Sequence, residues 1–328
     1  MFPTMRSFFK VSFIGVLLII CLFANEGISQ ESYPNRPITM VCTYSAGGFI
    51  DNFSRFLSGI AEKELGQPII NTNRPGAMGT IGAAYVVNSK PDGYTIGVTS
   101  TSAYIVAPHM RKLPYNTFTD IVDITTYTSM DTGLVVRAEA PWNTYEDFLA
   151  YARKNPGKIK YACSGVGTIP HITMERIAMK EGVKWTLIPY KAAGEAVLST
   201  LGGHTDAVVQ GPPDELPHIQ AGKLKMLLAL NNSRWPELPN VPHILEKGYD
   251  FSAWAIFTIF GPKGLPEPIR QKLEDVFNRA KKHPSYVEFS KKFGARESPM
   301  GGKEHSKLWK SQYEEMGKVI KALRLEEN

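Results

Sequence analysis

The sequence predicts an α/β protein in which strands and helices alternate as parallel βαβ units. Short apolar runs of strand length alternate with longer amphipathic stretches of helical period. Several of the apolar runs pass directly into glycine-containing turns, as strands do before a crossover helix. The chain has 328 residues, of which 43% are hydrophobic and 21% charged, so it has room for a sizeable core and about two domains.

The N-terminus has the order of a secretory signal. Arg6 and Lys10 precede an apolar run at 11–23, and small polar residues follow it. We expect residues 1–29 to be a signal peptide cleaved after Ser29 and the mature protein to lie in the periplasm. The run is short for a membrane span, although an uncleaved anchor stays open as an alternative.

The three cysteines do not indicate a disulfide scaffold. Cys21 falls within the signal, and Ile20 stands before it where a lipoprotein signal needs a small residue. Cys42 and Cys163 belong to separate predicted strands, so we expect free buried thiols. A disulfide across a ligand cleft is the minor alternative.

The first unit is a strand, a glycine turn and a helix in quick succession. Residues 38–44 predict a buried strand, Gly47 and Gly48 a tight turn, and Asp51 or Asn52 the start of a helix. Backbone N–H groups at such a helix end suit a carboxylate, while an ordinary glycine turn is an equal alternative. The candidate binding residues here are Tyr44, Ser45, Ala46, Gly47, Gly48 and Asp51.

The next predicted elements are a strand at 68–73, a helix at 81–88 and a strand at 94–99. Hydroxyl side chains follow that last strand at its carboxyl end, where open α/β sheets bind their ligands. Ser100 and Thr101 are therefore candidates for the site. A helix cap made by the same hydroxyls explains them equally well.

A second unit repeats the first. Extended segments at 121–129 and 133–138 lead to a helix at 145–154 capped by Thr144. A strand at 158–163 then ends in another glycine turn before a helix around 171–180, so two similar anion sites could close on one ligand. The candidate residues here are Ser164, Gly165, Val166, Gly167, Thr168 and His171.

The rest of the chain continues the alternation and ends in three helices. The predicted strands are 185–190, 206–210, 224–230 and 254–260, with a turn at 261–264 and helices at 194–201 and, last of all, 303–323. Tyr190 and Asp206 lie at two of these strand ends and complete the set of candidate binding residues.

Catalytic and metal chemistry find little support in the sequence. Ser164, His171 and Asp206 suggest a hydrolase, but Ala162 and Val166 stand where a nucleophile elbow needs glycines, and we favour a structural hydrogen bond for His171. The seven His residues are dispersed without zinc spacing, and no phosphate-loop motif occurs. The net charge of +6 is scattered, which does not indicate nucleic acid binding. We therefore expect no enzyme, no cofactor and no bound metal.

Motifs in serial order resemble one receptor family along nearly the whole mature chain. The matching stretches are Tyr33-Pro-Asn-Arg-Pro-Ile38, Ala46-Gly-Gly-x-x-Asp51, Leu65-Gly-Gln-Pro68, Asn73-Arg-Pro-Gly-Ala77, Pro91-Asp-Gly-Tyr-Thr95, Leu113-Pro-Tyr115, Asn155-Pro-Gly-Lys158, Ser164-Gly-Val-Gly-Thr168 with His171, Pro189-Tyr-Lys191, Ala221-Gly-Lys223 and Leu238-Pro-x-Val-Pro242. On these residues the chain is identified as similar to the extracytoplasmic solute receptors of the tripartite tricarboxylate transporter family, the Bug-type receptors.

This resemblance implies a type II periplasmic-binding-protein-like fold, with two domains joined by two crossing strands and a ligand cleft between them. The expected domains are 30–129 with 251–328, and 130–250. A monomer that captures a small organic carboxylate and delivers it to membrane permease subunits is the implied function. A sensory receptor and, less favoured, an enzyme on the same scaffold are the alternatives. Departures from the family pattern, such as Ala192 for Gly, leave the particular carboxylate open.

Overall fold

The computed structural model describes residues 33–253, 255–298 and 300–326. By its internal contacts, Arg36–Asn328 forms one compact unit. The predicted signal peptide and its cleavage after Ser29 lie outside the described residues. Within the described part, no helix combines the length and the apolar character needed to cross a membrane.

Strands and helices alternate along the chain. The strands are β1 Ile38–Cys42, β2 Ile69–Asn73, β3 Thr95–Ser100, β4 Ile121–Met130, β5 Gly133–Arg137, β6 Lys160–Cys163, β7 Thr186–Pro189, β8 Ala207–Gln210, β9 Leu224–Ala229, β10 Ala255–Pro262 and β11 Ala295–Arg296. The helices are α1 Phe49–Leu65, α2 Thr80–Val87, α3 Ser102–Ile105, α4 Ala107–Met110, α5 Tyr145–Lys154, α6 Ile169–Glu181, α7 Ala193–Leu201, α8 Pro212–Gln220, α9 Glu267–Lys281, α10 Pro284–Lys292 and α11 Gly302–Leu323.

These strands form two sheets. The first has the order β11-β4-β10-β3-β1-β2, and the second has the order β7-β6-β8-β5-β9. Strand β1 runs parallel to β2 and β3, and β6 runs parallel to β7 and β8, as the sequence predicts. Strands β10 and β5 run antiparallel to their neighbours, so both sheets are mixed. We call the parts of the chain built on these sheets the first half and the second half.

Most predicted elements agree with the structure within a few residues, and the exceptions have local causes. Helix α1 begins at Phe49 with Gly48 as its N-cap, so the expected start at Asp51 or Asn52 is wrong. Strand β10 continues to Pro262, into the predicted turn. Helix α8 was not predicted; its sequence contains three prolines, two of which stand in the first turn, where a helix tolerates them. The capping by Thr144 is confirmed by its hydrogen bond from the N–H of Asp147.

The core confirms the expected packing of the last helix against a sheet. Trp309 of α11 is buried, and its Nε1 donates to Asp123 Oδ2 of β4 at 2.9 Å. A buried indole N–H needs such an acceptor, since leaving it unpaired costs about 1–3 kcal/mol. Helix α11 thereby joins the C-terminal end of the chain to the first sheet.

Both predicted thiols are free and buried, so the disulfide alternative is wrong. Cys42 ends β1 and Cys163 ends β6, in different sheets. Burial raises the pKa of Cys42 to about 11 and that of Cys163 to about 12. Both groups are therefore neutral thiols that pack as small apolar side chains.

The chain crosses from the first sheet to the second between β4 and β5 and returns between β9 and β10. Asn231, which is buried, joins the two crossings. Its Oδ1 accepts the N–H of Thr132 at 2.5 Å, and its Nδ2 donates to the carbonyl of Ala253 at 2.5 Å. One side chain therefore holds the outgoing and the returning segments together.

Candidate functional site

The first glycine turn is exposed to solvent and is held by the helix that follows it. Gly47 has φ +77°, a conformation that favours glycine, and its N–H donates to Asp51 Oδ2 at 2.9 Å. Asp51 also accepts from Arg55 and from Asn73 Nδ2. Burial would raise the pKa of Asp51, but these hydrogen bonds outweigh it and hold that pKa below its usual range. The Asp51 carboxylate therefore faces its own turn, not an open site.

The second glycine turn has the same construction with a neutral acceptor. Gly167 also has φ +77°, and its N–H donates to His171 Nδ1 at 3.0 Å. His171 is 3% exposed, and burial lowers its pKa to about 4. The imidazole is neutral at physiological pH and keeps Nδ1 as an acceptor. The predicted structural hydrogen bond of His171 is confirmed.

Ser164 lies beside a buried side chain that the sequence analysis did not select. Its Oγ donates to Gln210 Oε1 at 3.3 Å, and Gln210 ends β8, the strand next to β6. Gln210 is 1% exposed, and its Nε2 has no hydrogen-bond partner among the described residues. A buried amide donor without a partner is uncommon in proteins and is costly unless a ligand or water accepts from it.

The two halves meet at the second turn. A Cβ added at Gly167 would lie 2.5 Å from Met78 Sδ and 2.6 Å from Met110 Sδ, both side chains of the first half. Met78 has φ 56°, which is uncommon for a residue other than glycine. Tyr44 Oη donates to the Met78 carbonyl at 3.3 Å and lies 3.5 Å from Ser102 Oγ. The loop at Met78 therefore lies between the Tyr44 hydroxyl and the second turn.

Some predicted residues are brought together here and others are not. Ser100 Oγ lies 3.0 Å from Ser102 Oγ, which places it with Tyr44. Thr101 instead donates to the carbonyl of Ile256, and Tyr190 donates to Ser199 Oγ at 2.6 Å. Both side chains already have partners within their own half.

Asp206 lies at the wrong end of its sheet to join the second turn. Its Oδ2 accepts the N–H of Lys160 at 2.8 Å, where β6 begins, whereas Ser164 follows the end of that strand. Gln210, at the other end of β8, occupies the position beside Ser164 instead. The remaining predicted residues, Ser45, Ala46, Gly48, Gly165, Val166 and Thr168, lie in the two turns themselves.

In the first half, a hydroxyl, an imidazole and a carboxylate lie in a row. This row is relevant to the alternative that the protein is an enzyme. Thr101 Oγ1 lies 3.3 Å from His305 Nε2, and His305 Nδ1 lies 3.4 Å from Asp123 Oδ1. Thr101 is 3% and His305 0% exposed, so a substrate has no access to them. This row is part of the core. Across the described ranges, no group of three or more His, Cys, Asp and Glu residues is placed to hold a metal ion.

The site therefore offers neutral donors at two helix N-termini. Helices α1 and α6 both begin next to a glycine turn, and unpaired N–H groups at such ends attract anions. Gln210 Nε2 adds an unpaired side-chain donor, whereas the hydroxyls of Ser164 and Tyr44 already donate to Gln210 Oε1 and to the Met78 carbonyl. Arg55, the cation at the first turn, is already engaged by Asp51. The arrangement can bind an anion without a salt bridge to a basic side chain.

Sequence reasoning missed Gln210, Met78 and Ser102. The glycines on either side of Ala77-Met78 were a visible signal for an unusual turn. Gln210 could have been selected because it stands at the carboxyl end of a predicted strand, as Ser164 does. Which two strand ends are neighbours depends on sheet order, which the sequence alone did not provide.

Solved structures that are similar to this chain include a periplasmic binding protein and a protein with a bound carboxylate. The periplasmic binding protein BugD is 29% identical with a TM-score of 0.80, over 90% of this chain and 100% of that one. MatC from Rhodopseudomonas palustris, solved with bound malate, is 26% identical with a TM-score of 0.78, over 88% of this chain and 100% of that one. These matches confirm the predicted two-domain α/β fold and define the class as solute-binding proteins.

The family follows from the sequence comparisons. The model of the tripartite tricarboxylate transporter family receptor, TctC, matches residues 53–325. A relative from Cupriavidus necator, "UPF0065 protein in gbd 5'region", is 36% identical over 85% of this chain and 84% of its own length. The chain belongs to the TctC family of receptors, which confirms the predicted resemblance.

Proposed function

We propose that this receptor binds a small organic carboxylate between its two glycine turns, in the periplasm, and delivers it to membrane permease subunits. The family consists of solute receptors, and a relative of the same fold was solved with malate, a dicarboxylate. In this proposal the ligand lies in a cleft between two domains, 30–129 with 251–328 and 130–250, joined by the two crossings.

The observation that carries the proposal is the pair formed by Ser164 and Gln210. The buried Gln210 Nε2 lacks an acceptor within the described part of the chain, and the Ser164 hydroxyl and the start of helix α6 lie next to it. A carboxylate has enough lone pairs to accept from all of these groups, provided that the Ser164 hydroxyl turns from Gln210 Oε1 to the ligand. Hydrogen bonds to a charged group stabilise by about 1.5–3 kcal/mol each, which makes the pair a sufficient anchor.

A titration of organic acids tests this proposal. We expect thermal stabilisation by mono-, di- or tricarboxylates, reaching about 2.7 kcal/mol at about a hundred times the Kd. For the best ligand, Ser164→Ala should weaken binding by about 1.5–3 kcal/mol in isothermal titration calorimetry. Ser311→Ala is the matched control, because Ser311 is exposed on α11 and donates to the carbonyl of Leu308.

Two results would contradict the proposal. Equal affinities for Ser164→Ala and Ser311→Ala would remove Ser164 from the site. A larger loss for Lys191→Ala than for Ser164→Ala would mean that a cation carries recognition. Delivery to a transporter is tested separately by uptake of the labelled acid, which should stop when the gene is deleted. Intact uptake with loss of an acid-induced response would favour sensing.

A further inference from the structure

A cavity of about 430 Å³ lies in the first half, and its lining residues are not those of the two glycine turns. Strand β4, strand β11 and helices α9 and α10 border it through Tyr127, Ala295, Lys281 and Tyr286 among others, and Ser298, which follows β11, also lines it. Small-molecule sites commonly have volumes of about 300–1,000 Å³. The size alone therefore fits an organic molecule, and its chemistry follows from the lining.

The lining carries excess positive charge. Lys281, Lys282, Lys291 and Arg296 border the cavity, and Glu297 is the acidic residue among the lining side chains. Arg296 is neutralised by Asp131, at 2.5 Å, and by Glu237, at 3.2 Å. The three lysines, by contrast, form no ion pair with any residue that the structure describes. Lys282 and Lys291 are exposed to solvent, and Glu274 and Glu297 are the acidic residues that act on Lys281 without forming an ion pair with it.

Lys281 is the partly buried member of this set. Its Nζ donates to Thr125 Oγ1 at 3.2 Å and to the carbonyls of Thr126, at 2.6 Å, and Ser298, at 3.2 Å. These acceptors are neutral, so they satisfy the N–H groups without compensating the charge. Burial lowers the pKa of Lys281 to about 8, and the ammonium persists at neutral pH. Charges held away from water are normally paired, whereas Glu274 and Glu297 favour the Lys281 ammonium without a direct ion pair.

A second, independent group faces the same space. Ser298 lines the cavity and is 3% exposed, and its Oγ has no hydrogen-bond partner among the described residues. The walls nearby are apolar or aromatic. Tyr286 Oη donates to the carbonyl of Tyr127 at 3.0 Å, and Tyr127 Oη donates to the carbonyl of Ile50 at 3.3 Å. Both rings therefore present their carbon surfaces to the cavity, and Val287 and Ala295 add more apolar surface.

We propose that this cavity is a second binding site, which takes an organic anion with an apolar body and one acidic head group. The head group lies among Lys281, Lys282 and Lys291 and accepts from Ser298 Oγ, and the body packs on Tyr127, Tyr286 and Val287. This site recognises charge through lysines. It thus differs in kind from the lysine-free pair of glycine turns, and it does not depend on the proposed function.

Fluorescence titration with 1-anilinonaphthalene-8-sulfonate tests the proposal on the full mature chain. This probe combines an aromatic body with a sulfonate. We expect saturable binding of one equivalent that malate does not displace. Lys281→Met keeps the length of the side chain without its charge and should weaken the probe's binding about tenfold or more. Ser298→Ala should weaken it several-fold.

Matched surface variants guard against effects of misfolding. Lys291→Gln removes a lysine that borders the cavity, and Lys292→Gln removes its neighbour, which does not. We expect about a threefold loss for Lys291→Gln, because an exposed charge contributes little, and no change for Lys292→Gln. Equal affinity in Lys281→Met, Lys291→Gln and Lys292→Gln would overturn the proposal. Displacement of the probe by malate would also overturn it, because the probe would then occupy the cleft.

Discussion

In each half of the molecule a strand ends in a glycine turn, and the glycine donates its N–H to a side chain four residues further along. The acceptor is the carboxylate of Asp51 for Gly47 and the imidazole of His171 for Gly167, and both glycines have φ +77°. The first turn is exposed, whereas Gly167 is buried against Met78 and Met110 of the other half. The same backbone geometry is thus held by a charged acceptor in one half and a neutral one in the other.

This difference matters for the proposed binding of a carboxylate. The Asp51 carboxylate lies at the start of α1, where it offsets part of the positive end of the helix dipole. Neutral His171 accepts its hydrogen bond without that effect, so the start of α6 keeps its attraction for a ligand carboxylate. We infer that the second turn provides most of the binding energy and that the first turn mainly completes the enclosure.

The largest expected effect is a pH dependence of stability, in which the two acceptors, His171 and Asp51, differ. The pKa of His171 is about 4 in the folded chain and 6.5 for the free side chain, so the unfolded chain binds the proton first. The free energy of unfolding therefore falls as pH drops below 6.5. Near pH 4, the loss that His171 causes reaches about 3 kcal/mol. Urea denaturation across this range measures the loss.

His171→Gln is the matched variant for this test. A Gln carbonyl can accept from the N–H of Gly167 but does not titrate, so its stability should depend less on pH over the same range. Parallel profiles for the two proteins would show that the hydrogen bond of His171 does not control acid stability.

The next effect compares the two glycines directly. Gly47→Ala and Gly167→Ala impose the same strain at φ +77°, about 1–2 kcal/mol each. A Cβ at Gly47 meets nothing within 4 Å, whereas one at Gly167 lies 2.5 Å from Met78 Sδ. Overpacking adds about 1–3 kcal/mol, so Gly167→Ala should be less stable than Gly47→Ala by about 2 kcal/mol in urea denaturation. Equal stabilities would mean that the halves are not packed together at the second turn in solution.

The smallest effect concerns the charge of Asp51. Asp51→Asn keeps an acceptor for Gly47 but replaces charge-assisted hydrogen bonds with weaker ones. It should therefore lower the free energy of unfolding, measured by urea denaturation at neutral pH, by about 1 kcal/mol. Arg55 is 44% exposed, and solvent screening keeps the loss small. The folded pKa of Asp51 lies below 3.8, so its contribution is present above that pH and disappears as pH falls through the lowered value. If the wild type and Asp51→Asn still differ in stability in strong acid, the effect comes from the shape of the side chain and not from its charge.

The strand, turn and helix of each half could be predicted from the sequence because the signals are local. Apolar runs and glycines determine where a strand ends, and the order of motifs indicated the family. The acceptors within the turns were harder to assign. Asp51 was expected to start a helix or bind ligand, but the chain's own Gly47 and Arg55 use its carboxylate.

Contacts between distant segments could not be predicted in this way. The pairing of Ser164 with Gln210 depends on β6 lying beside β8, which follows from sheet order. The packing of Met78 on Gly167 depends on how the halves meet. Asp206 is a different kind of error, because its position before its strand already indicated the end of the sheet opposite to Ser164.

The buried carboxamide of Asn231 has a mechanical consequence for the molecule. Because it bonds to Thr132 and to Ala253 at 2.5 Å each, the outgoing and the returning crossings act as one two-stranded ribbon instead of two separate tethers. Such a ribbon bends across its flat face far more easily than its strands shear past each other. A sliding of one crossing past the other therefore has to break both hydrogen bonds of Asn231.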